Sequence, residues 1–319
     1  MTPRAAFWKW FVIAGLVSIV LVVTQGLAVG GLEGLLQVGE TSTLRPIIEA
    51  ELGEVPLAEG PGHDGQIYYA IGLDLSGDVV GPLLDHGAYR YRRILYPLVA
   101  SGFGLLGGTA FLYGLVIVAV VSVSVAAALV AQLAVRNGRR EWWALLVVLN
   151  PGVWLSIRLL TGDGLAIALM VWAVSVLYSK RDGAAWIFSL SALTKDVFLA
   201  TPIPLGIARR HWRIVLIPIA VMVGWMTWLT ITIGDGFAPR GNIDLPLVGI
   251  IDAIPNWSSI DGEDWFYLIF ALASVFGGLV VALLKKSDLR WSILAWSGLG
   301  LISSAWVWDF GNNAARAFA

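Results

Sequence analysis

The chain contains no cysteine, which excludes disulfides, thiolate metal sites and cysteine nucleophiles and says nothing of redox compartment. Histidine is nearly as scarce: His63, His86 and His211 lie far apart, too scattered for a histidine zinc triad. Charge is short as well. Asp, Glu, Lys and Arg make up 13% of the 319 residues, against about 25% in an ordinary soluble domain. So few charges cannot cover a globule of 34.3 kDa, which excludes a water-soluble enzyme. The 21 basic and 22 acidic residues nearly cancel, which removes the polybasic case for nucleic acid as a partner. No Walker A loop, no G-x-G-x-x-G after a strand and no H-E-x-x-H occurs, so the local signatures of nucleotide cradles and zinc proteases are missing.

What remains is apolar. Hydrophobic residues form 58% of the chain and mean hydropathy is +0.78. Sixteen Trp and 36 Gly suit a helical membrane bundle, where Trp anchors interfaces and Gly lets helices approach. The expected fold is an all-α polytopic membrane protein. A crossing helix needs roughly 20 apolar residues. Runs of that kind lie at 7–30, 109–135, 142–160, 163–179, 213–234, 265–284 and 291–308. With two further apolar pieces the expectation is about seven to nine transmembrane helices. The first run is too long for the apolar core of a signal peptide, and no A-x-A site follows it, so it is expected to stay as a helix.

Arg4 and Lys9 precede that helix and place the N-terminus in the cytoplasm of a cell-membrane protein. The other basic loops are 136–140, Lys180-Arg181, 208–213, and Lys285-Lys286 with Arg290; the acidic stretches are 33–85 and 235–264. Putting every basic loop inside and both acidic stretches outside leaves 94–107 and 184–208 unable to cross as simple spans. The first reads as a re-entrant or interfacial helix. The second, broken by Thr194-Lys195-Asp196 and by Pro202 and Pro204, reads as two half-helices. Crossing of both pieces, with one basic loop outside, is the other topology. The whole of 1–319 is read as one membrane domain: a first span, an extracytoplasmic segment over 31–93 with a helical run near 64–75, core helices over 94–210, and C-terminal helices over 211–319 around an irregular outer loop at 235–264.

Polar chemistry concentrates in few places. His63, Asp64, Gln66, Tyr68 and Tyr69 fall within seven residues in the first outer loop. A carboxylate there is suited to deprotonate a hydroxyl acceptor or to bind a divalent cation; capping of the helix that follows is the other role for Asp64. Arg90, Arg92 and Arg93, set among Tyr89, Tyr91 and Tyr96, run against the positive-inside tendency. Arginine forks match phosphate oxygens, whether of a substrate or of anchoring membrane lipids. Asn150-Pro151 is expected to kink its helix. Asp163 is placed to cap the next helix, or to join a metal site with Asp64. Lys195 and Asp196 are ionisable residues in apolar sequence, hence functional candidates by default, unless they pair with each other or with Arg158 as structural glue. Asn312, Asn313 and Arg316 close the chain on the outer side.

The strings GHDGQIYYAIGLD and YRYRRILYPLVA, followed by WWALLVVLNPG, LLTGDGLAIAL and SALTKDVFLATPIPL, resemble bacterial membrane glycosyltransferases of the GT-C superfamily. That resemblance covers roughly residues 1–210. It implies transfer of a hexose or pentose, with inversion, from a polyprenyl-phosphate-linked donor to a cell-envelope glycan, lipid or protein acceptor at the extracytoplasmic face. It also implies that Asp64 is the catalytic base or a metal ligand, with Mg or Mn as the ion. Arg90, Arg92, Arg93 and Lys195 would hold the donor phosphate; His63, Gln66, Tyr68, Tyr69, Asp163 and Arg316 would complete the substrate site. The sequence departs from the family pattern at Thr161-Gly162-Asp163-Gly164, where an acidic residue followed by Pro is expected. Two other classes fit the charge pattern: a lipid or solute transporter lined by Arg158, Lys195 and Asp196, and a non-catalytic subunit that keeps the fold.

Overall fold

The computed structural model describes residues 1–179, 182–234, 237, 242–309 and 314. Helix α1 (Pro3–Ala28) opens with Pro in its first turn and the Thr2 hydroxyl accepting from the Ala5 amide at 3.2 Å, an N-cap arrangement that satisfies one orphan donor. Its buried residues are Ala6, Trp10, Ala14, Ser18, Val22 and Gly26, one ridge with a spacing of four. The opposite side leaves Val12, Leu16, Ile19, Val20, Val23 and Leu27 exposed.

The segment after α1 holds two short parallel strands, β1 (Val38–Gly39) and β2 (Leu57–Ala58), with helices α2 (Arg45–Leu52), α3 (Asp64–Leu73) and α4 (Gly87–Tyr91). Then follow α5 (Leu95–Gly104), α6 (Gly108–Arg136), α7 (Leu145–Val148), α8 (Pro151–Arg158), α9 (Asp163–Tyr178) and α10 (Ala184–Thr194). The C-terminal part contains α11 (Pro202–Ala208), α12 (Arg213–Thr232), α13 (Val248–Ala253), α14 (Gly262–Leu284), α15 (Arg290–Leu301) and α16 (Ala305–Trp308). Among the described residues the regular structure is all helical apart from the two short strands.

Helices α1, α6, α12 and α14 are long and apolar enough to cross a membrane, by length and composition. They differ in burial. In α6, 67% of the apolar window is buried, against 22% in α1 and 28% in α12 and α14. Helix α6 is therefore the inner element, packed by α1, α5 and α9. The other three keep apolar faces outward, which hydrocarbon tolerates and water does not. Close approach of α1 depends on small residues: a Cβ on Gly15 would stand 3.2 Å from Ser124 Oγ.

Three of the expected spans take a different form. The run 142–160 is not one helix but α7 and α8, parted at Leu149-Asn150. Pro151 has no N–H and forces Asn150 into extended backbone (φ −74°, ψ 118°); Asn150 Oδ1 then accepts from the Gly152 and Val153 amides at 2.9 and 3.2 Å and starts a new helix. The run 291–308 stops at Leu301 because the carbonyls of Leu301 and Ile302 accept from Leu247 and Asp244, each at 2.7 Å. Helix α9 has 16 residues, about 24 Å at 1.5 Å per residue, short of the roughly 30 Å hydrocarbon core. In 184–208, α10 ends where the sequence indicates a break: Lys195 is extended (φ −158°, ψ 113°), and a 3-10 turn over Asp196–Ala200 leads to α11. The segment 94–107 becomes the 10-residue α5. The segment 235–264, expected to be an irregular outer loop, carries α13 and a 3-10 turn over Ile254–Ser259 among its described residues.

Candidate functional site

The site is built from the start of α3. Gly62 has φ +76°, and a Cβ there would fall 2.3 Å from Gln37 O and 2.5 Å from the Gly39 amide. Only glycine fits. With that approach, Val38 bridges Gly62 and the His63 amide donates to Gln37 O at 3.0 Å. The small strand pair thereby fixes where α3 begins. His63 is the N-cap residue and its side chain makes no capping bond. Asp64 is the first helical residue and does not cap; its Oδ1 accepts from Arg90 Nη1 at 3.0 Å. A carboxylate at this end is favoured by the helix dipole.

Arg90 is shared between two acids. Its Nε and Nη2 donate to Asp85 Oδ1 and Oδ2 at 3.0 and 3.1 Å, while Nη1 serves Asp64. Burial works against the Arg90 charge, but the Asp85 bond and the charges of Asp64 and Asp85 outweigh it and hold its pKa above the ordinary arginine value. Next along the chain, the guanidinium carbons of Arg92 and Arg93 each lie 5.3 Å from the Tyr89 ring centroid, within cation–π range. Arg93 Nη2 donates to the Tyr89 hydroxyl at 2.9 Å, and Asn242 Nδ2 reaches the same oxygen at 3.4 Å. Arg93 also lies within electrostatic reach of Tyr68, Asp196 and Asp64.

A second cluster forms where α9 starts and α10 ends. Lys195 Nζ donates to Asp163 Oδ1 at 2.5 Å, and both side chains are mostly buried. Asp163 Oδ2 accepts from Thr161 Oγ1 at 2.7 Å. Asp163 was expected to cap α9, but the acceptor for the Gly164 amide is Ser156 Oγ at 3.2 Å. Lys195 turns to Asp163. Arg158 pairs with neither Lys195 nor Asp196 in its salt bridge; Nη1 donates to Glu263 Oε1 at 2.6 Å, tying α8 to α14. Glu263 also accepts from the Tyr267 hydroxyl at 2.9 Å.

The turn between α8 and α9 touches both clusters. A Cβ on Gly65 would stand 2.8 Å from Leu159 O, and one on Gly162 would stand 3.0 Å from Tyr96 Cβ and Thr194 Cγ2. Tyr96 stacks edge-on against Tyr68, centroids 5.4 Å apart, and its hydroxyl donates to Leu115 O at 2.9 Å. Asp64, Tyr68, Arg90, Arg93, Asp163, Lys195 and Asp196 thus belong to one neighbourhood.

Other residues singled out in the sequence have different surroundings. Gln66 is buried and tethers the loop: Oε1 accepts from the Gly39 amide at 3.3 Å and Nε2 donates to Pro61 O at 2.7 Å. Tyr69 is buried against Phe111 (5.1 Å), and a Cβ on Gly108 would lie 2.7 Å from its hydroxyl. Burial, then the Glu51 charge, pushes that hydroxyl well above the usual phenol range. Arg92 is buried beside Tyr89, and His63 is exposed at the head of α3. Arg316, Asn312 and Asn313, like the Lys180-Arg181 loop, lie outside the described residues.

Sequence reasoning passed over Asp85, Ser156 and Thr161. The signal for Asp85 was an acid five positions before Arg90; Ser156 and Thr161 gave none beyond their proximity to Asp163. Among the described residues no three His, Asp or Glu side chains gather around a common point. Asp64 and Asp163, the pair considered for Mg or Mn, are bonded to Arg90 and Lys195. This donor set does not fit a divalent ion. The chain matches no protein-family model, no curated protein and no solved structure.

Proposed function

We propose that the protein is a GT-C type glycosyltransferase that moves a sugar from a polyprenyl-phosphate-linked donor to an envelope glycan, lipid or protein. The observation that carries this reading is the placement of the Asp64 carboxylate on the first turn of α3, beside Arg90 and within electrostatic reach of Arg93. An aspartate carboxylate at a helix start, oriented by a neighbouring side chain, is suited to serve as a general base. Nearby guanidinium and ammonium groups suit a leaving phosphate. In the reaction, Asp64 takes the proton of the acceptor hydroxyl as its oxygen forms a bond to the anomeric carbon. The bond from that carbon to the phosphate oxygen breaks, and polyprenyl phosphate departs with the electron pair and inverts the centre. Arg93 and Lys195 stabilise the charge left on the phosphate.

The proposed setting is the cell membrane, with the N-terminus in the cytoplasm and the 31–93 segment outside. Helices α1, α6, α12 and α14 cross; α9 and the broken pairs α7–α8, α10–α11 and α15–α16 supply further crossings or re-entrant segments, toward the total of about seven to nine expected from hydropathy. A non-catalytic subunit is the second reading, favoured by one observation: Asp64 and Asp163 are each neutralised by a basic neighbour.

The test is transfer by purified protein in proteoliposomes, with radiolabelled polyprenyl-phosphate sugars and envelope glycan acceptors. The wild-type chain is expected to transfer label, and Asp64→Asn to lose transfer while still binding donor. Donor binding without transfer by the wild type supports the subunit reading; solute flux without transfer supports a transporter.

A further inference from the structure

We infer that Asp85 is a positioning residue for Asp64, acting through the Arg90 guanidinium; the inference rests on the transferase reading above. The contact between Arg90 and Asp64 is a single hydrogen bond from Nη1. One such bond leaves the guanidinium free to pivot about it. The contact with Asp85 is a fork: Nε and Nη2 meet the two carboxylate oxygens at 3.0 and 3.1 Å. A fork fixes the plane of the guanidinium as well as its distance. With Nε and Nη2 anchored, Nη1 can point in one direction only, and Asp64 lies in that direction.

Exposure assigns the roles. The Asp64 and Arg90 side chains are 20% and 17% exposed, whereas Asp85 is 46% exposed. The two groups nearer the proposed chemistry are sheltered, and the third meets them from the solvent side. Asp85 stands on the turn that leads into α4 and reaches Asp64 through Arg90. The turn is held in place independently. The Arg90 amide donates to His86 O at 3.0 Å, and a Cβ on Gly87 would fall 2.6 Å from Gly81 O. Asp85 and Arg90 are therefore brought face to face by backbone packing, and the geometry passes on to Asp64. Lysine at position 90 would lack the fork and lose this relay.

The experiment compares wild type, Asp85→Asn and Asp85→Glu in the proteoliposome transfer assay, with Asp64→Asn as the inactive control. The same samples are labelled with phenylglyoxal, and the Arg90 adduct is quantified by peptide mass spectrometry. Asp85→Asn is expected to lower kcat about tenfold, in line with loss of an outer orienting partner, with donor KM within about twofold of wild type. Arg90 labelling should rise several-fold, and Asp85→Glu should restore much of both. An unchanged kcat, or an effect confined to KM, overturns the inference, as does Arg90 labelling equal to wild type. Should the wild-type chain transfer no sugar, the transferase reading fails, while Arg90 labelling still decides whether Asp85 holds the guanidinium. If Asp85→Asn does not fold, Asp85→Ser, which also removes the fork, carries the same readouts.

Discussion

Lys195 Nζ meets Asp163 Oδ1 at 2.5 Å across a separation of 32 positions in the chain, joining the first residue of α9 to the residue just past α10. Both helices are apolar and both side chains are mostly buried, so each charge offsets the desolvation of the other. The extended backbone at Lys195 is what allows the side chain to reach back to Asp163.

Removing one partner should therefore cost far more than removing both. Lys195→Met is expected to destabilise the protein by about 3–5 kcal/mol, because Asp163 is left buried and charged. The double variant Lys195→Met with Asp163→Asn should recover most of that loss. Thermal unfolding in detergent, arranged as a double-mutant cycle, measures the coupling; a double variant no better than the single one contradicts the pairing.

Gly62→Ala should damage the start of α3 specifically. It places a Cβ 2.3 Å from Gln37 O at φ +76°, a combination of clash and left-handed backbone worth roughly 1–3 kcal/mol. Limited proteolysis should show faster cleavage in the 57–64 segment, with cleavage elsewhere unchanged. Uniform cleavage throughout the chain would refute a local effect.

Asp74 gives a pH signature away from the four long apolar helices. Burial raises its carboxyl, but bonds from the Ser76 hydroxyl and the Val80, Val79 and Gly77 amides outweigh that and hold its pKa below the ordinary value. A depressed folded pKa contributes stability that is present above the unfolded value, about 3.9, and is lost as pH falls through the folded value. Unfolding midpoints taken from neutral pH down to about pH 3 should fall on the acid side. That part of the fall should be missing in Asp74→Asn.

Asn150→Ala removes the acceptor for two amides at the head of α8. The expected cost is about 1 kcal/mol, the usual value for an N-cap. Asn150→Asp or Asn150→Ser should retain most of the stability, since either keeps a capping oxygen. Thermal midpoints of the three variants rank them.

The long apolar helices were readable from sequence because burial in lipid demands only length and apolar character. The 109–135 run, without a charge, became α6, and 64–75 became α3 nearly to the residue. The break at Lys195 was readable because charge amid apolar residues conflicts with a continuous helix. Other features depend on distant partners. The end of α15 at Leu301 is imposed by amides of residues 244 and 247, and nothing near Leu301 announces it. Arg158 could be matched on paper to Lys195's neighbour Asp196, yet its partner is Glu263, 105 positions away. The Asn150-Pro151 signal was read as a bend, and the strength of the Asn150 cap turned it into a complete parting. At the candidate site the residue types were legible, whereas the allocation of Arg90 between Asp64 and Asp85 required the path of the 81–87 turn.

Helix α6 also sets an order of assembly. It is the innermost of the four long helices and the second of them to leave the ribosome, directly after α1. Domains and their parts emerge N-terminal end first during synthesis. The Gly15–Ser124 seam can thus close before α12 and α14 are made. Later helices then have the paired face of α1 and α6 to pack against.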